Sequence, residues 1–501
     1  MEIQAVLRDT FGYSSFRKGQ KEIIEDVISG KNVVAMLPTG AGKSICYLLP
    51  GYILEGAVVI VSPLLSLMED QIQQLQMLGE KRAVAINSFL SFEEKRKTIE
   101  RLSVYKFIFV SPEMLQNSYF IKRLQSIHIS LFVVDEAHCI SQWGHEFRTD
   151  YLKLSGVIED LGNPPCLALT ATATKNVLHD MVRILKLKEV SYHLHSIDRP
   201  NISINVEKVA NIDDKKRKLL QWVQQLQGPG MIYFSSRWWA ENISNLLKDA
   251  GIKGVAFYHG GMDNEQRLLI QQQFLSDQIQ IICCTNAFGM GVNKPNVRYV
   301  IHFHHPTTIE AYLQEIGRAG RDGNNSIAIL LHSPTDQELP EALIQQEFPS
   351  LDELKHIIEL LKGTCALNKP INESSLLSFT TLNETAWRFI KYQLELGGFL
   401  KEDILIQDIE PGMIIKNITT LIQDRLIYKK HKLKEMNSWI HSPNCRREEY
   451  LWIFDERLNN KVPQCCDLCQ VDYQMYEKKD ELVSETGLKG WQQELQSILI
   501  K

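Results

Sequence analysis

The stretch Val33-Val34-Ala35-Met36-Leu37-Pro38-Thr39-Gly40-Ala41-Gly42-Lys43-Ser44 decides the fold. A short apolar run reads as a buried strand, the glycines as a turn, and the apolar residues from Ile45 as a helix. Glycines let backbone N–H groups approach an anion, and a helix N-terminus adds a positive dipole end. Thr39, Gly40, Ala41 and Gly42 are therefore a candidate phosphate cradle. Lys43 is placed to reach β- and γ-phosphates, and Ser44 to hold Mg²⁺. The generic motif has Gly where Leu37 stands; Thr-Gly-x-Gly-Lys-Ser keeps the mechanism.

Outward from this stretch, buried strand-like runs alternate with helical patterns. Strands are expected at Val33–Leu37, Ala57–Ser62, Phe107–Val110, Leu131–Val134 and Cys166–Leu169, with helices at Ser66–Leu78 and Phe92–Ser103. This alternation describes a parallel sheet covered on both faces. Asp198–Lys218 is polar, and its segment Ile212–Lys218 reads as a surface linker. The pattern then restarts, with strands at Gly230–Ser235, Gly254–Tyr258, Ile279–Thr285, Arg298–Phe303 and Ser326–Leu331 and helices at Arg237–Ala250 and Glu265–Ser276. Two α/β lobes in tandem are the expected architecture.

Strand Leu131–Val134 delivers Asp135-Glu136-Ala137-His138 at its carboxyl end, where open α/β sheets place ligands. One acid there can hold Mg²⁺, and its neighbour can orient an attacking water. The second lobe lacks a phosphate loop but offers Gln314-Glu315-Ile316-Gly317-Arg318-Ala319-Gly320-Arg321. Arg318 and Arg321, three apart, are expected on one helical face, pointing across a cleft at a γ-phosphate.

The chain has 501 residues, enough for several domains at ~100–200 residues each. With 44% hydrophobic and 23% charged residues it is globular in composition. The most apolar long segment, Tyr47–Met68, contains Pro50, Glu55, Gly56 and Pro63, which argues against a membrane span. The N-terminus carries early acids and no apolar core, so no signal peptide is expected. A net charge of −5 speaks against nucleic acid in bulk. Locally, Lys416–Arg447 has eight Lys or Arg against Asp424 and Glu435. That segment is the expected phosphate-contacting track, with binding that weakens steeply in salt.

Beyond residue 340 the pattern is helical. Leu351, Leu354, Ile357, Ile358 and Leu361 form a stripe at helix spacing. Asn383 is a candidate N-cap for a helix carrying Ala386, Phe389, Ile390 and Leu394 and closed by Gly397-Gly398. A winged-helix-like module and a featureless connector fit these signals equally. Four of the ten cysteines, Cys445, Cys465, Cys466 and Cys469, crowd together late in the chain. Four thiolates suit tetrahedral zinc in a reducing compartment, and the alternative is four buried or free thiols.

Together these residues resemble superfamily 2 helicases, and over most of residues 1–335 the chain is similar to the RecQ family, in a bacterial short form. Phe11-Gly12-Tyr13-Ser14-Ser15-Phe16-Arg17-Lys18-Gly19-Gln20 matches that family's adenine-recognition element, which implies Tyr13 and Arg17 against the base and Gln20 reading its edge. Ala137-His138-Cys139-Ile140-Ser141-Gln142-Trp143-Gly144-His145-Glu146-Phe147-Arg148 resembles its aromatic-rich loop, which couples single-strand contact to ATP hydrolysis. Trp143, His145 and Phe147 are stacking faces and Arg148 a phosphate partner. Asp198-Arg199-Pro200-Asn201 is a further match. Asn293 stands where the family usually has Asp, Thr149 where Pro is common, and Pro463 where its zinc cluster has a Cys, leaving Cys465 as candidate fourth ligand.

The resemblance implies two RecA-like lobes at 1–205 and 206–340, a helical or winged-helix-like insert at 341–412, a zinc subdomain at 413–470 and a tail at 471–501. It implies a cytoplasmic, nucleoid-associated, ATP-dependent 3′→5′ DNA helicase using ATP, Mg²⁺ and Zn²⁺. Lys43, Asp135, Glu136, His138, Arg318 and Arg321 would be catalytic, with Ser44 and Asp135 on Mg²⁺. Expected partners are single-stranded, forked and duplex DNA, the insert contacting duplex, and single-strand-binding protein as a candidate protein partner. An RNA remodeller and a non-catalytic DNA-binding adaptor are the competing readings.

Overall fold

The computed structural model describes residues 3–478, apart from 64, 88–89, 142–147, 289–293, 365–370, 402–403, 407–409, 459 and 461. Seven strands form the first sheet: β1 Asn32–Met36, β2 Ala57–Val61, β3 Ala83–Ile86, β4 Phe107–Val110, β5 Ile129–Val134, β6 Cys166–Thr170 and β7 Val190–Leu194. All pairings are parallel, in the order β3-β4-β2-β5-β6-β1-β7. Every residue of β2, β4, β5 and β6 is buried, as covered parallel strands require. The edge strands β3, only four residues long, and β7, with polar residues among its apolar ones, escape a reading of the sequence. In β7, Tyr192 and Leu194 are exposed.

Six strands form the second parallel sheet: β8 Ile202–Lys208, β9 Gly230–Tyr233, β10 Val255–Tyr258, β11 Ile281–Cys284, β12 Tyr299–His302 and β13 Ser326–His332. Their order is β10-β11-β9-β12-β13-β8. The polar stretch at 198–218 holds a strand and the start of a helix, and its segment Ile212–Lys218 is helical and not a linker. Ile202, Ile204 and Val206 are buried in β8, which pairs with β13 along its whole length. Ile212–Gln225 is a helix because Asn211 Oδ1 accepts from the amides of Asp213 and Asp214, both at 3.0 Å, and Leu219 and Val223 supply a buried face. Its charged residues mask that apolar face in the sequence; even Lys215 is buried, paired with Asp336.

Helices Leu351–Thr364, Glu373–Ser378 and Glu384–Leu396 lead into a two-stranded antiparallel hairpin, β14 Leu400–Lys401 and β15 Ile404–Leu405. Leu354, Ile357, Ile358 and Leu361 share one core with Trp387, Ile390, Leu394, Leu400 and Leu405. Leu351, expected in that stripe, is 47% exposed. Asn383 caps its helix by accepting from the Ala386 amide at 2.9 Å. These helices and the hairpin share one core with the following helix, so the segment is a packed module and not a featureless connector. The 31-residue helix Pro411–His441 follows. Ile414, Ile418 and Ile422 belong to the module's core, whereas Met436, Trp439 and Ile440 join the core of the lobes.

Candidate functional site

The turn after β1 and the turn after β5 open at the carboxyl edge of the first sheet, and the second lobe closes over them. Gly40 and Gly42 have φ of 83° and 78°, the left-handed region that a turned-back phosphate loop needs. A cleft of about 620 Å³ lies between the lobes. It is lined by Tyr13, Arg17, Gln20, Thr39, Gly40, Gly42, Lys43 and Ser44, by Asp135 and Glu136, and by Arg318 and Arg321. Gln20 is buried and donates to the carbonyls of Ala41 and Gly42 at 2.9 and 3.0 Å, while Arg17 donates to the Gly40 carbonyl. The segment at 13–20 is thus locked to the loop at 39–44.

Lys43 Nζ lies 3.4 Å from Glu136 Oε1. Glu136 has φ of 48°, a costly angle for a residue with a side chain, and its amide donates to Asp135 Oδ1 at 2.9 Å. Asp135 is pushed up to about 6, first by burial and then by Glu136, with Lys43 opposing. His138 does not line the cleft. It stands behind Glu136, with Nδ1 3.4 Å from Glu136 Oε2 and 3.0 Å from Thr170 Oγ1, tying the β5 turn to the end of β6. Asp135 and Ser44 line the same cleft, and a carboxylate with a hydroxyl is an all-oxygen donor set that suits Mg²⁺.

The helix expected to carry both arginines ends too early. Ile309–Ile316 stops at Gly317, and Arg318 and Arg321 sit in the turn that follows, where Gly320 has φ of 55°. The turn nonetheless aims both into the cleft. Arg321 is pushed down to about 9, by burial first and then by Arg318 and Arg199. Asp70, which the sequence reading missed, lines the same cleft. Its carboxyl is pushed up to about 6 by burial, with Arg321 pulling it down. Met77 and Leu78, exposed at the end of the helix Leu65–Met77, add an apolar rim beside Tyr13. Their only sequence signal is the end of an amphipathic helix, which names no site.

Trp143, His145, Phe147 and Asn293 lie outside the described residues. Arg148 is described and donates to the Pro63 carbonyl at 2.9 Å, away from the cleft. The basic segment Lys416–Arg447 is not the exposed track expected. Arg425, Lys432, Arg446 and Arg447 are buried. Lys432 pairs with Glu310 and Glu435, each at 2.7 Å, and Lys429 pairs with Glu347. Helix Pro411–His441 packs against two cores and turns Arg425 and Lys432 inward, Arg446 and Arg447 are buried in the helix Arg446–Ile453, and Lys416, Lys430 and Lys434 remain exposed.

The sulfur atoms of Cys445, Cys465, Cys466 and Cys469 all lie within 4.8 Å of one another. Cys445 is 3.6 Å from Cys465 and 4.0 Å from Cys466. Tetrahedral zinc with Zn–S near 2.3 Å sets sulfurs roughly 3.8 Å apart, so this cluster has the size of a four-thiolate metal site. The adjacent pair Cys465-Cys466 is accommodated because Gln464, with φ of 55°, turns the chain before it.

A family model for the DEAD/DEAH box helicase matches residues 17–180, and one for the helicase conserved C-terminal domain matches residues 214–323. The chain is 45% identical over 500 residues to the probable ATP-dependent DNA helicase RecS of Bacillus subtilis (strain 168), covering 99% of this chain and 98% of that one. It is 39% identical over 348 residues to the ATP-dependent DNA helicase RecQ of the same organism, covering 68% of this chain and 58% of that protein. Its fold resembles that of the DEAD-box helicase Mss116 bound to ssRNA, with a TM-score of 0.58 at 17% identity, covering 92% of this chain and 90% of that one. It also resembles Mycobacterium smegmatis Lhr bound to ssDNA and AMP-PNP, with a TM-score of 0.56 at 20% identity, covering 77% of this chain and 56% of that one. The two structural likenesses speak for the two-lobed fold. The RecS likeness runs almost end to end, through the cleft and the cysteine cluster alike, and the chain belongs to the RecQ family of helicases.

Proposed function

We propose that the protein is an ATP-dependent DNA helicase that moves 3′→5′ along a single strand and separates duplex ahead of it. The observation that carries this reading is one cleft in which the glycine loop and two acids from one lobe face two arginines from the other. ATP would lie on the loop at 39–44, with Tyr13 and Arg17 against the base and Gln20 at its edge. Lys43 would leave Glu136 for the β- and γ-phosphates, freeing Glu136 to orient the attacking water. Ser44 and Asp135 would hold Mg²⁺, which when bound neutralises charge on the phosphate oxygens. Arg318 and Arg321 would meet the charge developing on the γ-phosphate, so hydrolysis and lobe closure depend on one another. His138 would hold Glu136 in register with Thr170. The cysteine cluster would hold structural zinc, and the winged-helix-like module would contact the duplex.

The test compares ATPase stimulated by matched DNA and RNA oligonucleotides, and strand separation on 3′-tailed and 5′-tailed duplexes. Preference for DNA and for the 3′ tail is expected. Equal or greater stimulation by RNA would favour a remodeller. Lys43→Ala should abolish stimulated hydrolysis, a loss of ~10³-fold or more, while single-strand binding survives. Persistent ATPase in that variant would refute the site.

A further inference from the structure

Asp198-Arg199-Pro200-Asn201 joins the lobes and does not line the cleft. Arg199 nevertheless bonds to both lobes at once. Its Nη1 donates to the Thr39 carbonyl of the phosphate loop at 2.6 Å and to the Gly317 carbonyl at 2.9 Å. Its Nη2 donates to the Ala319 and Gly320 carbonyls at 3.0 and 2.7 Å. Asn201 Nδ2 adds bonds to the carbonyls of Gly320 and Asn324 at 2.8 and 2.9 Å. One guanidinium therefore gathers three carbonyls of the turn that bears Arg318 and Arg321, and ties that turn to the loop bearing Lys43.

We propose that Arg199 is a positioning residue for hydrolysis, acting through Arg318 and Arg321 by fixing the turn 317–320 against the phosphate loop. The inference rests on reading the cleft as the ATPase site. All four acceptors are neutral backbone carbonyls, so the planar fork of donors matters and the charge alone does not; a lysine cannot reproduce it. Arg199 is itself held from behind. Its carbonyl accepts from Arg447 Nη1 at 3.1 Å, and the Asp198 carboxylate accepts from Tyr450 Oη at 2.5 Å and from Arg447. Arg447 is fully buried, in the helix Arg446–Ile453 that begins directly after Cys445. The cysteine cluster thereby sets the backbone from which Arg199 reaches the lobe interface.

The experiment uses the full chain carrying Arg199→Ala or Arg199→Lys, with Lys43→Ala beside them. Steady-state ATPase with saturating single-stranded DNA, binding of a fluorescent ATP analogue and single-strand binding are measured on each. Misplaced arginines should lower kcat by ~10²-fold while KM for ATP moves by about threefold or less. Arg199→Lys should be nearly as slow as Arg199→Ala, and added ethylguanidinium should restore part of kcat to Arg199→Ala only. Should Arg199→Ala fail to fold, the Lys variant carries the test through its split between kcat and KM. A kcat within about twofold of the parent in both variants overturns the proposal, and so does a raised KM at unchanged kcat. An active Lys43→Ala instead overturns the site reading beneath it.

Discussion

Asp135 shows how a single residue is placed against its own preference. Its carboxyl sits at the end of an entirely buried strand, and its folded pKa of about 6 lies above the ordinary value near 4. A carboxyl with a raised folded pKa binds its proton more tightly in the native state. The native state is therefore penalised above pH 6, and the penalty fades as pH falls through the window between the two values. Asp135→Asn removes the buried charge. Its thermal midpoint should exceed the parent's at pH 8, the two should converge by about pH 4, and ATPase should be lost throughout. Melting curves of both proteins across that range decide it; a lower midpoint for the variant at pH 8 would contradict the account.

At the scale of elements, the second lobe docks through the end of one helix. Helix Ile309–Ile316 is capped by Gly317, whose φ of −61° any residue can adopt. A Cβ there would meet Thr39 Oγ1 at 1.8 Å. The severest conflict lies across the lobes, at Thr39, with a lesser one to the Leu313 carbonyl at 2.9 Å inside the second lobe, so Gly317→Ala strains closure most. The variant should keep its secondary structure and single-strand binding while stimulated ATPase falls about tenfold or more. Unchanged ATPase would mean that turnover does not require this close approach.

At the scale of the molecule, the cysteine cluster joins the parts. Its loop lies along β8, with the Ile204 amide donating to the Cys465 carbonyl at 3.2 Å and the Asp467 amide to the Ile204 carbonyl at 2.9 Å. Tyr476, further on, is buried in the second lobe with its hydroxyl 2.6 Å from Ser203 Oγ. Loss of the zinc proposed for this cluster should therefore be felt beyond it. Cys466→Ser should lower bound zinc from about one per chain toward zero and depress the thermal midpoint, and chelation of the parent should reproduce both effects. Metal analysis and melting on the same sample check this; full zinc retention would exclude Cys466 as a ligand.

The sequence by itself determined the two-sheet architecture, the glycine turn at 39–44, the acids after β5 and the identity of the four clustered thiols. Each is written in the residues themselves: an apolar run of strand length, glycines at a turn, acids directly after a strand, cysteines crowded late in the chain. Tertiary structure alone decided which distant residues meet. It placed Arg318 and Arg321 in a turn rather than on a helix, made a strand and a helix of the polar segment at 198–218, and brought Arg199 to the lobe interface. It also buried four of the eight cations of the basic segment Lys416–Arg447, which weakens the inference from its local charge. The physical reason is the same in each case. A charge or a polar residue gains its meaning from the partner it faces, and that partner is chosen by packing between elements far apart in the chain.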